Sequence, residues 1–200
     1  VHIEYVNQGK PQGTGHAVSI IESFVDDFIV LCGDTIFNTT DIKQIVDQKN
    51  SIGLYKVKNP EEYGIVETEK DTLIKIHEKM KKPFTNRINA GIYHFDKSLF
   101  TALHQLEKSP RGEYELTDAI NQLTKRNPFT TYLLTDWQDV GYAWNLLDAN
   151  KTMLERIDYT QKGIIEKEAV LKGNVAVGKN SIVRLGSYIE GPVVIGENCK

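Results

Sequence analysis

Cysteine is scarce in this 200-residue chain: two thiols, Cys32 and Cys199, stand near opposite ends. That excludes a disulfide framework and offers no metal-ligand spacing. Two scattered thiols fit a reducing, cytoplasmic compartment. An excess of one charge sign is also missing. The formal net charge is −3, and no run of Lys and Arg makes a nucleic-acid footprint. No apolar stretch approaches the length that spans a bilayer, and no charged-then-apolar leader opens the chain. Neither nucleic acid nor membrane is therefore expected as a partner. What is present is 40% hydrophobic residues, enough for one ordinary globular domain with an appendage.

Val1 to Val6 alternates like a strand, and Gln8 to Gly15 is a polar, Gly- and Pro-bearing loop. From His16 to Phe24, Ala17, Ile20, Ile21 and Phe24 recur at helical spacing. Phe28 to Cys32 is a continuous apolar run closed by Gly33-Asp34, the pattern of a buried parallel strand. Thr40 can cap a short helix over 41–48, and Ile52 to Val57 reads as a strand. The order β, α, β, α, β predicts an α/β, mostly parallel, doubly wound sheet. Ile65 to Thr68, Leu73 to His77 and Ile88 to Phe95 look like an antiparallel or mixed insertion lying over that sheet. Amphipathic helices follow over Lys97–Leu106 and Glu115–Lys125, then a strand over Phe129–Leu134. A long helix from Tyr142 to Ile157 carries Trp144, Leu147, Met153 and Leu154 on its apolar side.

After residue 162 the pattern changes. Ile165, Leu171, Val177, Val183, Ile189 and Ile195 are aliphatic and six residues apart. Four positions after each stands a small side chain: Ala169, Val175, Ser181, Ser187, Val193 and Cys199. Two residue classes in one six-residue register predict a parallel β-helix, whose flat faces stack. Three faces make a coil, so two coils are expected over 161–200, behind a domain over 1–160. The register is unbroken at Lys200, which leads us to expect that the natural protein continues.

Two aspartates stand where an open α/β sheet binds ligands, just beyond the carboxyl ends of strands. They are Asp34, after the apolar run, and Asp139, which precedes Gly141. Taken alone, each reads nearly as well as a turn or helix cap. The amide of Gln8 both donates and accepts, which suits a base edge. Gly13-Thr14-Gly15 could let backbone approach a nucleotide, but a lone G-x-G is by itself an ordinary loop. Glu78-Lys79 alone is a solvated pair. His16 reads as a packing or capping residue rather than a catalyst.

Together these segments carry a resemblance across nearly the whole chain. QGKPQGTGHA at 8–17, LCGDT at 31–35, Tyr63-Gly64, Glu78-Lys79 and NAGIY at 89–93 follow in order, then EYELTD at 113–118 and WQDVG at 137–141. They resemble the sugar-1-phosphate nucleotidylyltransferases. With the six-residue repeat behind them, they are most similar to the bifunctional, archaeal-type nucleotidylyltransferase/acetyltransferases. The resemblance implies a Rossmann-like nucleotidyltransferase sheet joined to the start of a left-handed β-helix. It implies a nucleoside triphosphate, dTTP or UTP, and a sugar-1-phosphate as partners, and Mg²⁺ held by Asp34 and Asp139. Lys79 is implied on the sugar phosphate, Gln8, Gly13 and Thr14 on the nucleotide, and Gly64, Glu78 and Asn89 on the sugar. Glu113 and Asp118 are expected to be structural.

One family element is missing from these residues. No Gly-rich, Arg-bearing G-x-G-x-x-R segment occurs, and the chain opens on Val. The expectation is a sheet incomplete at its N-terminus and a chain that alone turns over little. No histidine follows His104, which argues against acyl transfer by these residues and leaves the repeat as the start of an oligomerisation module. The alternative is a non-catalytic regulatory or scaffold subunit, against which retention of both Asp34 and Asp139 counts.

Overall fold

The computed structural model describes residues 2–200, which divide into two compact units, Val1–Gln138 and Asp139–Lys200. The long helix expected with the first domain thus belongs to the second unit, whereas the sequence pattern changes only near residue 160.

The first unit is built on six strands: Asp27–Leu31 (β1), Ser51–Lys56 (β3), Ile65–Glu69 (β4), Thr72–His77 (β5), Arg87–Asp96 (β6) and Thr130–Leu133 (β7). Their order is β1-β6-β3-β7-β5-β4, with a further β4–β6 pairing. Thr35–Phe37 (β2) pairs separately with Trp137–Asp139 (β8). The expectation of a mostly parallel sheet is corrected here. Among the described residues of this sheet only β3–β7 pairs in parallel, while β6 runs antiparallel to both β1 and β3. The segments expected to lie over the sheet are part of it, and β6 sits between β1 and β3.

The reason is apolar content on both faces of β6, which is buried along nearly its whole length. Tyr93 and Phe95 join Phe28, Ile52, Leu54, Phe100 and Phe129 on one side of the sheet. Ala90 and Ile92 join Ile45, Leu134, Phe37 and Trp137 on the other. A strand with two apolar faces is stable only where both are covered. Helices Thr14–Ser19 (α1), Ser98–Leu103 (α3) and Leu116–Leu123 (α4) contribute to the first cluster, and Thr39–Val46 (α2) to the second. By contrast β1 is an edge strand of this sheet, with Leu31 exposed, so the apolar run there is only partly buried.

Three local expectations are also corrected. His2 to Val6 has no strand pairing, and Tyr5 is 92% exposed; Val1 lies outside the described residues. The N-cap of α2 is Asn38, not Thr40, because Asn38 Oδ1 reaches the Thr40 amide at 2.8 Å. The first helix buries Gly15 and Val18, while Phe24 lies in a separate 3₁₀ turn and is exposed.

The second unit opens with Asn145–Glu155 (α5), whose only buried residue is Ala149. Trp144, Leu147 and Met153, expected on a packed side, are exposed, with Leu147 76% accessible. The short strands that follow are Thr160–Gln161 (β9), Ile164–Ile165 (β10), Val170–Lys172 (β11), Val175–Val177 (β12), Ile182–Val183 (β13), Tyr188–Glu190 (β14) and Val193–Ile195 (β15). All pair in parallel. Ile164 faces Ile182, Val170 faces Tyr188 and Val175 faces Val193, each eighteen residues on. β9 meets β12 with an offset of sixteen. The aliphatic residues of the six-residue register pack together around Val175, Val177 and Val183. Ser181, fully buried, donates from Oγ to the Gly196 carbonyl at 2.6 Å and accepts from the Cys199 amide at 2.9 Å. A small polar side chain at that register position thus ties one turn of chain to the next.

Candidate functional site

Gly64, Glu78 and Asn89 meet. The Asn89 amide donates to the Gly64 carbonyl at 2.8 Å, because β6 and the start of β4 run antiparallel there. A Cβ built on Gly64 would lie 3.3 Å from Glu78 Oε1 and 3.6 Å from Asn89 Cβ. The three residues expected on the sugar, taken from separate segments, therefore border one small space. Lys79 follows Glu78 in the turn after β5, exposed and in a left-handed conformation at φ 45°.

Below them Asn89 is held from two sides. Its Oδ1 accepts from the Gly91 amide at 3.2 Å, and its Nδ2 donates to the Tyr93 hydroxyl at 2.6 Å. Tyr93 is buried. Burial above all, then the neighbouring Cys32 and Glu78, pushes its phenol well above the usual tyrosine range. Gly91 has φ 77°, and a Cβ there would stand 2.7 Å from Cys32 Sγ, so this position must be glycine for two reasons. Beside the same stretch, the Trp137 indole donates to the Ala90 carbonyl at 2.9 Å and packs against Tyr55 and Tyr63.

The loop expected on the nucleotide is zipped to Tyr114. The Tyr114 amide donates to the Gln12 carbonyl and the Gly15 amide donates to the Tyr114 carbonyl, both at 2.8 Å. Gly13, at φ 108°, would place a Cβ 2.5 Å from the Tyr114 carbonyl oxygen. Close packing against 113–114 thus accounts for this glycine without any ligand. The Thr14 hydroxyl accepts from the Leu116 amide at 3.1 Å, at the start of α4. Glu115 is buried under Ser109 and Arg111, whose donors reach its Oε1 at 2.8–3.1 Å. Asp118 has its carboxyl pushed up by burial and by Glu115. Thr117 and Asp118 lie within α4, as expected, and Glu113 is exposed just before it.

Asp34 is exposed in the turn between β1 and β2. Asp139 ends β8 and opens the second unit; a side chain at Gly141 would come within 3.3 Å of its carboxylate, so glycine leaves that group room. Among the described residues no cluster of three or more His, Cys, Asp and Glu is arranged for a metal. None of the expected site residues lines the cavity of about 530 Å³ bordered by Lys75, Lys108, Asp118 and Lys125.

Two features were not anticipated. Asp41 is fully buried, and its carboxylate accepts from the Thr135 amide and hydroxyl and the Asp136 amide at 2.9–3.1 Å, pinning α2 to the turn before β8. A charged residue on an otherwise amphipathic helix gave no sign of this. His16 contacts Gln8 and Gln12 through its two ring nitrogens, a role visible only once the loop folds back on α1.

The nucleotidyl transferase family model matches residues 1–156. The chain belongs to that family. It is 41% identical over 183 residues to the bifunctional protein GlmU of Methanocaldococcus jannaschii, covering 90% of this chain and 45% of that protein. It is 38% identical to a bifunctional sugar-1-phosphate nucleotidylyltransferase/acetyltransferase of Sulfurisphaera tokodaii, covering 89% and 45%. The chain thus spans about half the length of the curated relatives it matches. Among solved structures, a putative glucose-1-phosphate thymidylyltransferase from Bacillus anthracis is 30% identical with a TM-score of 0.64, over 76% of this chain and 65% of that one. A UDP-glucose pyrophosphorylase complexed with UDP-glucose, at 20% identity and a TM-score of 0.68, over 76% and 66%, shares the fold. The Rossmann-like α/β fold of nucleotidyltransferases is therefore that of the first unit, with the mixed strand pairing described above.

Proposed function

We propose that these residues belong to an enzyme that transfers a nucleotidyl group from dTTP or UTP to a sugar-1-phosphate. The acceptor is glucose-1-phosphate or N-acetylglucosamine-1-phosphate, and pyrophosphate is released. The observation that carries this reading is the meeting of Gly64, Glu78 and Asn89 around one space beside Lys79. Glu78 accepts from sugar hydroxyls, Asn89 bonds a sugar hydroxyl or N-acetyl group, and glycine at 64 leaves room for the ring. Lys79 brings a cation to the sugar phosphate, whose oxygen attacks the α-phosphorus as the bond to the β-phosphate breaks. That oxygen is already anionic at neutral pH, since the second phosphate pKa is about 6, so no general base is needed. Gln8, Gly13 and Thr14 take the nucleotide.

Asp34 and Asp139 are proposed as the carboxylates for Mg²⁺. The donor set suits that ion, which takes hard oxygen ligands and often only one or two protein carboxylates. When bound, it supplies charge stabilisation at the phosphates. The parallel pairing eighteen residues on and the six-residue register support residues 161–200 as the first two coils of a left-handed β-helix. In the whole protein we assign that module to homo-oligomerisation and the enzyme to the cytoplasm. Because the 200 residues hold no Gly-rich, Arg-bearing phosphate loop, turnover by this chain alone is expected to be low.

Titration calorimetry with each sugar-1-phosphate tests the reading directly: binding that is lost in Glu78→Ala and Asn89→Ala supports it, and absence of binding to both sugars overturns it. Pyrophosphate release with each triphosphate then assigns the nucleotide. Release as fast as from a version extended by a Gly-rich, Arg-bearing segment would overturn the expectation of low turnover.

A further inference from the structure

Gln8 has one end of its side-chain amide doubly committed. Its Nε2 lies 3.1 Å from the Gly13 carbonyl oxygen and 3.0 Å from His16 Nδ1. A backbone carbonyl only accepts, so the atom facing it is the NH₂ group and not the amide oxygen. One of the two NH₂ protons goes to Gly13 and the other to His16, whose Nδ1 must then present a lone pair. The ring proton is left on Nε2, 3.5 Å from the amide of Gln12, which can meet it by turning its oxygen inward. The Gly13 carbonyl is itself fixed, because it also takes the Ala17 amide at 3.1 Å and its residue is packed on Tyr114. Both protons of the Gln8 amide are thus used inside the loop. Among the described residues nothing is bonded to Gln8 Oε1.

We propose that His16 is a positioning residue: by accepting from Gln8 it holds the amide so that only an acceptor, Oε1, is offered to the nucleobase. The proposal rests on the reading that Gln8 faces the base, and it deepens that reading by naming the base class. An acceptor opposite ring position 3 of a pyrimidine takes the N3–H of uracil or thymine. Cytosine carries a lone pair at that position, which would stand against the lone pair of Oε1. The chain therefore selects bases with an N3–H. If the Gln8 amide were free to turn, its NH₂ could meet cytosine and the selection would vanish.

The test reads base selectivity, which a merely structural role for His16 would leave unmoved. UMP, dTMP and CMP are titrated separately onto the chain by ligand-observed NMR, which reaches millimolar affinities. The unaltered chain should prefer UMP and dTMP over CMP by about tenfold, the worth of one hydrogen bond. In His16→Leu the preference should fall towards unity. In His16→Asn, whose Oδ1 can accept where Nδ1 did, it should return. A uniform loss of affinity for all three nucleotides in His16→Leu, with the preference kept, overturns the proposal and leaves the base site standing. No binding of UMP or dTMP by the unaltered chain overturns the underlying reading of the loop, and the proposal with it. Nitrogen NMR of the unaltered chain needs no variant: a His16 ring protonated on Nε2 and bare on Nδ1 is expected, and a proton on Nδ1 overturns the proposal.

Discussion

Gly64 and Asn89 are joined through their backbones by a 2.8 Å hydrogen bond, and the side chain of Asn89 stands over the place where a Cβ on Gly64 would be. A larger side chain at 64 would fill that space and press on the buried Ile76, whose Cγ2 lies 3.3 Å from the built Cβ. Gly64→Val should therefore weaken sugar-1-phosphate binding by about 1–3 kcal/mol, the usual cost of forcing volume into a packed site, which is roughly ten- to hundredfold. Calorimetry measures the loss, and an unchanged denaturant midpoint shows that the fold survives.

Gly91 meets a different limit. Its left-handed backbone and the 2.7 Å approach of a Cβ to Cys32 Sγ should each penalise Gly91→Ala, together by about 2–4 kcal/mol. Cys32→Ala in the same chain removes the Sγ contact but keeps a Cβ at 3.1 Å, so it should recover most of the steric share and leave the backbone share. A double-mutant cycle by urea unfolding separates the two.

Asp41 receives three donors in a fully buried setting. Asp41→Ala would leave these donors unmet and should cost about 3 kcal/mol or more. Urea unfolding should show it as a lowered midpoint.

Tyr93 carries a phenol that burial holds in its protonated form. The fold favours its neutral phenol, so its contribution is full below the ordinary phenol pKa of about 10. It is lost as pH climbs from that value to the raised folded-state pKa, because the unfolded chain ionises first. Spectrophotometric titration should find a phenol that stays protonated until the chain unfolds, and Tyr93→Phe should remove that late step.

Much of this was legible in the residues, but unevenly. The apolar run at 28–32 does end at Asp34, and the six-residue register at 165–195 does pack inward, because both patterns are local. The place of β6 was not legible: apolar residues on both faces say that a strand is covered, not which strands flank it. The sequence shows the backbone freedom of Gly13 but not its second constraint, the segment around Tyr114, about a hundred residues away, which occupies the place of a Cβ. The apolar side of α5 was read as packed, yet spacing identifies a face and not what covers it. His16 carries no signal of its own, since its partners are two glutamines brought round by a turn.

The eighteen-residue pairing in the second unit constrains how such a chain can lengthen or shorten. Removing six residues would shift every later strand by one face and set side chains against strangers. Adding eighteen would keep every later residue on its own face, with the new turn paired between two old ones. Variation in this part of the molecule should therefore come in whole turns, and a frame-preserving change of any other size should be felt far downstream of where it occurs.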